Sequence, residues 1–253
     1  MKSSITNKKN IFRAVSLLFW ILLWALLSVL IDEELFLPSP IRVCSALVSL
    51  LGEQAFWRSI AFSLSRVTAG LIISLIAALA FSALSYRFRV AEILLEPALK
   101  VIKATPVASI VILVLLWIKS RNLSIVISFL MVFPIIYTAL LEGLKDIDSN
   151  ILEMADVYKI HGMKRIRYIY IPYVMPFFRT ALNTGLGMGW KSAVAAEVIA
   201  LPAHSIGSEL YQSKVYFDTP SLFAWTIVIV LLAFLFERFF LLLLELFERR
   251  AMR

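Results

Sequence analysis

The sequence is poor in charged residues, cysteine and histidine. Only 17% of its 253 residues are charged, whereas about a quarter are charged in a typical soluble domain. Cys44 is the only cysteine, which excludes an intrachain disulfide, and His161 and His204 are the only histidines. These residues cannot build a cysteine–histidine metal site. No Gly-x-x-x-x-Gly-Lys-Ser/Thr phosphate loop is present either, which excludes nucleotide binding in that cradle.

Apolar residues take the place of the missing charges. They make up 61% of the chain, and the mean hydropathy is +0.88. Folding in water does not need this much apolar material, so the composition indicates a protein that lies in lipid. The formal net charge of +8 would suggest a nucleic-acid partner in a soluble protein. Here the basic residues lie mostly between apolar runs, where they indicate membrane topology and contacts with anionic lipid, so no nucleic-acid partner is predicted.

Six apolar runs are long enough to cross a bilayer, although the fifth is less apolar than the others. We therefore predict an all-α integral membrane protein with a six-helix bundle in a single domain, residues 1–253. The first run follows a basic segment and is interpreted as an uncleaved anchor. A long cytoplasmic loop, residues 142–172, separates the fourth and fifth runs. The predicted spans are residues 14–31, 60–85, 97–118, 123–141, 173–200 and 221–244.

The distribution of lysine and arginine predicts which side of the membrane each loop occupies. Of the 25 basic residues, fourteen fall in the segments assigned to the cytoplasm and five in the outer segments. Cytoplasmic loops carry an excess of Lys and Arg. We therefore expect a multi-pass protein with both termini in the cytoplasm. The five basic residues of the outer segments are Arg42, Arg58, Lys119, Arg121 and Lys214.

The long cytoplasmic loop is predicted to begin with an amphipathic helix. Asn150 suits the N-cap, with Glu153 three residues later, and Gly162 suits a helix stop. An exposed helix with an apolar stripe must bury it, either against its own bundle or the lipid interface, or in a groove of a cytoplasmic partner. The periodicity leaves both possibilities open. The stripe comprises Ile151, Met154, Ala155 and Tyr158.

The loop resembles the EAA loop of the permeases of binding-protein-dependent ABC importers. That family pattern is Glu-Ala-Ala, three residues, Gly, nine residues, Ile, one residue, Leu-Pro. Here Glu153-Met154-Ala155 and Ile169-Tyr170-Ile171-Pro172 fit the pattern without gaps, with Met154 and Ile171 as substitutions. Lys159 occupies the glycine position, so we expect the turn to be shifted or reshaped. The resemblance implies that the ATPase-coupling residues are Ile151, Glu153, Met154, Ala155, Tyr158, Lys159, Gly162 and Pro172.

Several further segments resemble the nitrate/sulfonate/taurine-type permeases of that family. They are Leu37-Pro38-Ser39-Pro40, Thr105-Pro106, Phe133-Pro134 and Gly189-Trp190-Lys191. This resemblance implies a small substrate, such as nitrate, a sulfonate, taurine, bicarbonate or a thiamine-precursor pyrimidine, without choosing among them.

The resemblance also implies a complete assembly. It comprises a type I-like permease bundle paired with a second copy, a cytoplasmic dimer of ABC ATPases that holds ATP and Mg, and an extracytoplasmic solute-binding protein. The expected location is the bacterial inner membrane, and the expected mechanism is inward transport by alternating access. The chain itself is expected to bind no cofactor and to be no enzyme.

Polar residues within a span are costly, so those of the fifth run are candidates for the substrate pathway. For the two charged residues among them, Lys191 and Glu197, structural pairing with other spans is an equally good explanation. Gly185 and Gly189 are expected to seat a neighbouring helix closely. The candidate pathway residues are Asn183, Thr184, Lys191, Ser192 and Glu197.

Three other functions remain to be weighed against the importer. A secondary transporter or channel would carry ionisable residues at mid-membrane in broken helices and would need no ATPase. A membrane-embedded enzyme would need a clustered catalytic set, and the sequence offers no convincing one. A scaffold would merely anchor cytoplasmic proteins. Association with an ATPase separates the importer from all three.

Overall fold

The computed structural model describes residues 2–251, which form eleven α-helices and one π-helical segment, without a β-strand in that range. Most turns between the helices are short. The elements are α1 (Lys2–Ile31), α2 (Pro40–Leu51), α3 (Gln54–Arg87), α4 (Arg89–Ala104), α5 (Val107–Leu115), α6 (Ser120–Lys145), α7 (Ser149–Val157), α8 (Met163–Arg165), the π-helical segment (Ile166–Tyr170), α9 (Ile171–Ala200), α10 (Ile206–Val215) and α11 (Thr219–Ala251).

Three of these helices, α3, α6 and α11, are long and apolar enough to cross a membrane by themselves. They contain the predicted spans 60–85, 123–141 and 221–244. Helix α1 contains a shorter apolar stretch, Val15–Ile31, and α9 has 30 residues and contains the run 173–200. The all-helical class is therefore confirmed, together with several apolar helices of membrane-spanning length.

The structure corrects the shape of the third predicted span. Residues 97–118 do not form one helix, because α4 already begins at Arg89 and its axis makes an angle of 108° with that of α5. The break lies at Thr105-Pro106, where Thr105 has the extended backbone typical of a residue before proline. Pro106 has no N–H with which to continue the helix. The other proline of this region, Pro97, lies inside α4.

Helix α6 lies between α3 and α9 and forms the centre of the fold. The face of α3 toward it is lined with small side chains, which allow the two backbones to approach closely. At Gly70, an added Cβ would lie 2.4 Å from the carbonyl oxygen of Ile125 in α6, and at Gly189 of α9 it would lie 2.6 Å from Val132 Cγ2. The small buried residues of α3 are Ser59, Ser63, Gly70, Ser74, Ala78, Ser82 and Ser85.

Hydroxyl groups hold the same contact between α3 and α6. Ser74 donates to the carbonyl oxygen of Phe129 at 3.1 Å, and the Tyr137 hydroxyl donates to Ser85 at 2.8 Å. Polar groups in the hydrocarbon region are costly unless they are hydrogen-bonded, so these bonds make the polar stripe of α3 compatible with burial.

We predict that Gly70→Ala destabilises the protein by about 1–3 kcal/mol, because its methyl group would overlap the α6 backbone, which cannot move aside like a side chain. The measurement is the thermal unfolding of the detergent-purified protein. Gly187→Ala is the matched control, since no atom lies within 4 Å of the position of its Cβ. Equal stability of the two variants would contradict this account of the α3–α6 contact.

Candidate functional site

The loop between α6 and α9 begins with α7, whose N-cap is Asp148 and not Asn150 as the sequence suggested. The Asp148 carboxylate accepts a hydrogen bond from the Asn150 N–H at 2.9 Å. Asn150 instead lies within the first turn of the helix. A side chain therefore caps the N-terminus of α7 as predicted, but the capping residue is an aspartate two residues before Asn150.

Helix α7 ends in a Schellman motif centred on Lys159. The Lys159 N–H donates to the Asp156 carbonyl at 3.0 Å, and the Ile160 N–H donates to the Ala155 carbonyl at 2.8 Å. Lys159 has a φ of 51°, which is the left-handed conformation that such a motif requires and that glycine adopts most easily. The lysine at the family's glycine position therefore takes the conformation that suits glycine. The turn is not moved to Gly162. That residue also has a positive φ, of 60°, but it lies immediately before α8.

One half of the predicted apolar stripe packs on the chain itself. Ala155 is fully buried, with Ile147 and Ile169 as buried neighbours in the same cluster and Ile151 packed partly against it. Arg165 also donates to the Asp156 carboxylate at 2.6 Å. The loop thus folds against the segment that leads into α9. For Ile151 and Ala155, the arrangement therefore favours packing on the protein's own helices over a groove on a partner.

The other half of the stripe faces outward. Met154 is 50% exposed and Tyr158 is 72% exposed. Val157, which the sequence analysis did not select, is 78% exposed and lies three residues after Met154 on the same side of the helix. We call Met154, Val157 and Tyr158 the outer face of α7. This face is an apolar surface that the described part of the chain leaves uncovered.

The loop connects to α9 without a break. From Met163 to Ala200 the chain is helical throughout, and it passes through the π-helical segment into α9 at Ile171-Pro172. Pro172 lies directly after the π-helical segment, where its missing N–H interrupts the regular hydrogen-bond ladder of the continuous helix. Helices α8 and α9 are therefore joined by continuous helical backbone.

Three of the five candidate pathway residues lie on one exposed side of α9. Asn183, Thr184 and Lys191 are exposed, at spacings that place them on a common face with Gly187. Within residues 2–251, no acidic side chain forms an ion pair with Lys191. We call Asn183, Thr184, Gly187 and Lys191 the polar face of α9.

Glu197 and Ser192 lie elsewhere, in the interior. The Glu197 carboxylate is fully buried and accepts hydrogen bonds from Ser63 at 2.7 Å, from Ser124 at 2.9 Å and from the Gly207 N–H at 3.3 Å. Ser63 in turn accepts from the Ile206 N–H at 3.0 Å. These bonds join α3, α6, α9 and α10, so of the two explanations for Glu197 the arrangement favours structural pairing over pathway lining. Sequence alone could not find its serine partners, which lie on distant helices.

We predict that Lys159→Gly stabilises the end of α7 by about 1 kcal/mol, because glycine adopts the left-handed conformation without the Cβ clash. The Ile160 amide should then exchange its hydrogen several-fold more slowly. Lys164→Gly is the control, because this lysine lies in right-handed helix α8 and glycine there should speed up local exchange. Unchanged or faster exchange at Ile160 in Lys159→Gly would contradict the Schellman assignment.

The chain is similar to known transport proteins over most of its length. The family model described as "binding-protein-dependent transport system inner membrane component" matches residues 70–253. A probable ABC transporter permease protein of Brucella melitensis is 27% identical over 215 residues, covering 85% of each chain. The taurine transport system permease protein TauC of Escherichia coli is 25% identical over 230 residues, covering 88% of this chain and 82% of the relative.

A third relative is the putative aliphatic sulfonates transport permease protein SsuC of Bacillus subtilis, 21% identical over 219 residues, covering 86% of this chain and 77% of the relative. The family match covers more than half of the chain, including the loop, the polar face of α9 and the Glu197 network. The chain therefore belongs to the binding-protein-dependent transport system inner membrane components, and it is the permease subunit of an ABC importer, with ATP hydrolysis performed by a separate subunit.

Proposed function

We propose that two copies of this chain form a membrane pathway for a small organic anion of the sulfonate class. The observation that carries this proposal is the polar face of α9, which exposes a lysine, an asparagine and a threonine on a helix of membrane-spanning length. Such residues are unfavourable against lipid, particularly the charged one. They are favourable against a water-filled cavity, and a second copy facing the first would enclose one.

The charge of this face determines the class of substrate. Lys191 supplies a cation, and the neighbouring Asn183 and Thr184 supply hydrogen-bonding groups without a negative charge. An anionic substrate would receive charge-assisted hydrogen bonds there, whereas a cation would be repelled. The names of two relatives, which refer to taurine and to aliphatic sulfonates, agree with this chemistry.

The topology we propose has six spans, with α4 and α5 together acting as the third and both termini in the cytoplasm. The lysine and arginine distribution supports this orientation. It puts α7 and α8 on the cytoplasmic side and α10 on the outer side. The location is the bacterial inner membrane, where the outer face would meet the solute-binding protein.

We further propose that the outer face of α7 docks on the ATPase. It is apolar and exposed, whereas Ala155 behind it fixes the helix to its own chain. A groove on the partner would remove this face from water. ATP-dependent closure of the ATPase pair could then favour one of two arrangements of the permease pair, which is the condition for driving alternating access.

The proposed docking is tested with Val157→Asp. Because Val157 is 78% exposed, an aspartate there should leave folding and membrane insertion unchanged. In the complex its carboxylate would be buried without a partner, at a cost of several kcal/mol, and each 1.4 kcal/mol weakens association about tenfold. We therefore expect the variant to lose the ATPase on co-purification and to lose uptake.

The control is Val215→Asp, the same change at an exposed position at the end of α10 on the opposite side of the membrane. It should retain the ATPase. Ala155→Asp serves as a contrast, because this site is fully buried within the chain and the change should disrupt the loop itself. Normal ATPase retention and uptake in Val157→Asp would rule out the outer face of α7 as the docking surface.

The proposed pathway is tested at Lys191. Lys191→Met removes the cation while keeping a similar length, so the KM for uptake of taurine or an alkanesulfonate should rise about tenfold or more, since a hydrogen bond to a charged group contributes roughly 1.5–3 kcal/mol. Lys191→Arg should retain most of the uptake. Lys214→Met, in α10, is the control and should transport normally. An unchanged KM in Lys191→Met, with normal amounts of assembled transporter, would exclude the lysine from the pathway.

A further inference from the structure

A second basic region lies at the end of the bundle that carries α10. There the first turns of α3, the start of α6 and the segment between α9 and α10 enclose an open cavity of about 590 Å³. Its lining includes Arg58 from α3, Arg121 from α6, and Ala203 and His204 from the connecting segment. The cavity is far larger than a small oxyanion needs, so an anion could enter it with part of its hydration shell.

The charge of this cavity is not compensated within the part of the chain that the structure describes. Arg58 and Arg121 come from different helices, and neither forms an ion pair with a carboxylate of residues 2–251. Arg66, about two turns further along α3, is already engaged, since it donates to Asn122 and stacks on Phe62. Two guanidinium groups therefore remain available to an anion.

Two acidic residues of the same end of the bundle, Glu197 and Glu209, are turned to other partners. Glu197 accepts its hydrogen bonds in the interior from Ser63, Ser124 and the Gly207 N–H. Glu209 accepts a hydrogen bond from Ser59 at 3.2 Å. Neither carboxylate is among the residues that line the cavity. The cavity lining therefore contains two arginines and no acidic residue.

The rim of the cavity is held in a fixed conformation. Leu201 and His204 both have left-handed backbones, with φ of 50° and 59°, which are unusual for residues other than glycine. The chain on either side holds them: Glu197 bonds the Gly207 amide, and Ser205 caps α10 in a capping box with Ser208. Strained residues persist only where the surroundings determine them and are frequent at binding sites.

We infer that this cavity binds a small oxyanion, such as a sulfonate, at the outer mouth of the permease before the anion reaches the polar face of α9. The inference rests on the orientation given under the proposed function. Guanidinium groups match the geometry of such oxyanions. Most of the lining is apolar, and because its two charged residues, Arg58 and Arg121, are both cationic, they raise the local concentration of anions. The site is separate from Lys191, which is not among the residues lining the cavity.

The experiment places a cysteine in the cavity and measures its reactivity in intact cells and in the purified full-length chain. Ala203→Cys provides the thiol, with Cys44→Ser removing the native one, and Gln212→Cys on α10 serves as the matched control outside the cavity. An anionic, sulfonate-bearing methanethiosulfonate and a cationic one are compared at each cysteine. We expect the anionic-to-cationic rate ratio at position 203 to exceed that at position 212 by about tenfold. Arg58→Gln with Arg121→Gln should remove the difference.

A protection experiment then distinguishes binding of an anion from a general electrostatic attraction. In purified protein at constant ionic strength, methanesulfonate should slow the reaction of position 203 with an uncharged methanethiosulfonate, and should not do so once both arginines are glutamine. Absence of protection overturns the inference, even if the rate ratio is high. Protection that appears only when the solute-binding protein is added also overturns it, because the oxyanion would then be an acidic side chain of that protein.

The outcomes also separate this inference from the proposed function. Reaction of position 203 from outside the cell without charge selectivity or protection would overturn the anion site and leave the orientation intact. Reaction of positions 203 and 212 only from the inside would overturn the proposed orientation, and with it the outer site.

Discussion

The close approach of α3, α6 and α9 is the constraint on which the rest of the structure depends. In lipid, apolar side chains gain little by leaving one apolar surrounding for another, so helices associate through close packing and hydrogen bonds. Gly70 and Gly189 permit that approach to α6 from its two sides. Two serines of α3 then donate across this contact, Ser74 to the α6 backbone and Ser63 to Glu197. A larger side chain would separate the helices and leave these polar groups unpaired.

The sequence predicted the elements well where local chemistry determines them. Apolar runs of sufficient length indicated the long helices, and the spacing from Ile151 to Tyr158 indicated α7. The sequence could not show which residues of an amphipathic helix are buried within the chain, because this depends on distant partners. Ala155 faces inward because it packs against Ile147 and Ile169. The partners of Glu197 and the wide bend between α4 and α5 depend in the same way on tertiary packing.

Once the core is packed, two exposed surfaces remain that are unfavourable in the solvent next to them, which is water for one and lipid for the other. The outer face of α7 is too apolar for water, and the polar face of α9 is too polar for lipid. A permease that works with an ATPase and a second copy would cover both. The Glu197 network, by contrast, is complete within one chain, which explains why a buried charged residue of the same helix does not join the polar face.

The two ends of α9 are held differently, and this difference bears on the proposed mechanism. At the end next to α10, Glu197 ties α9 to α3, α6 and α10 through buried hydrogen bonds. At the other end, α9 is continuous with α8, whose Arg165 holds α7 through Asp156. Under the proposed docking, a displacement of α7 would reach α8 through the Arg165–Asp156 bond and then α9 through continuous helix, while the Glu197 network would resist it. The expected response is a tilt of α9 about the Glu197 network, and Lys191, nearly two turns from that network, would move with it.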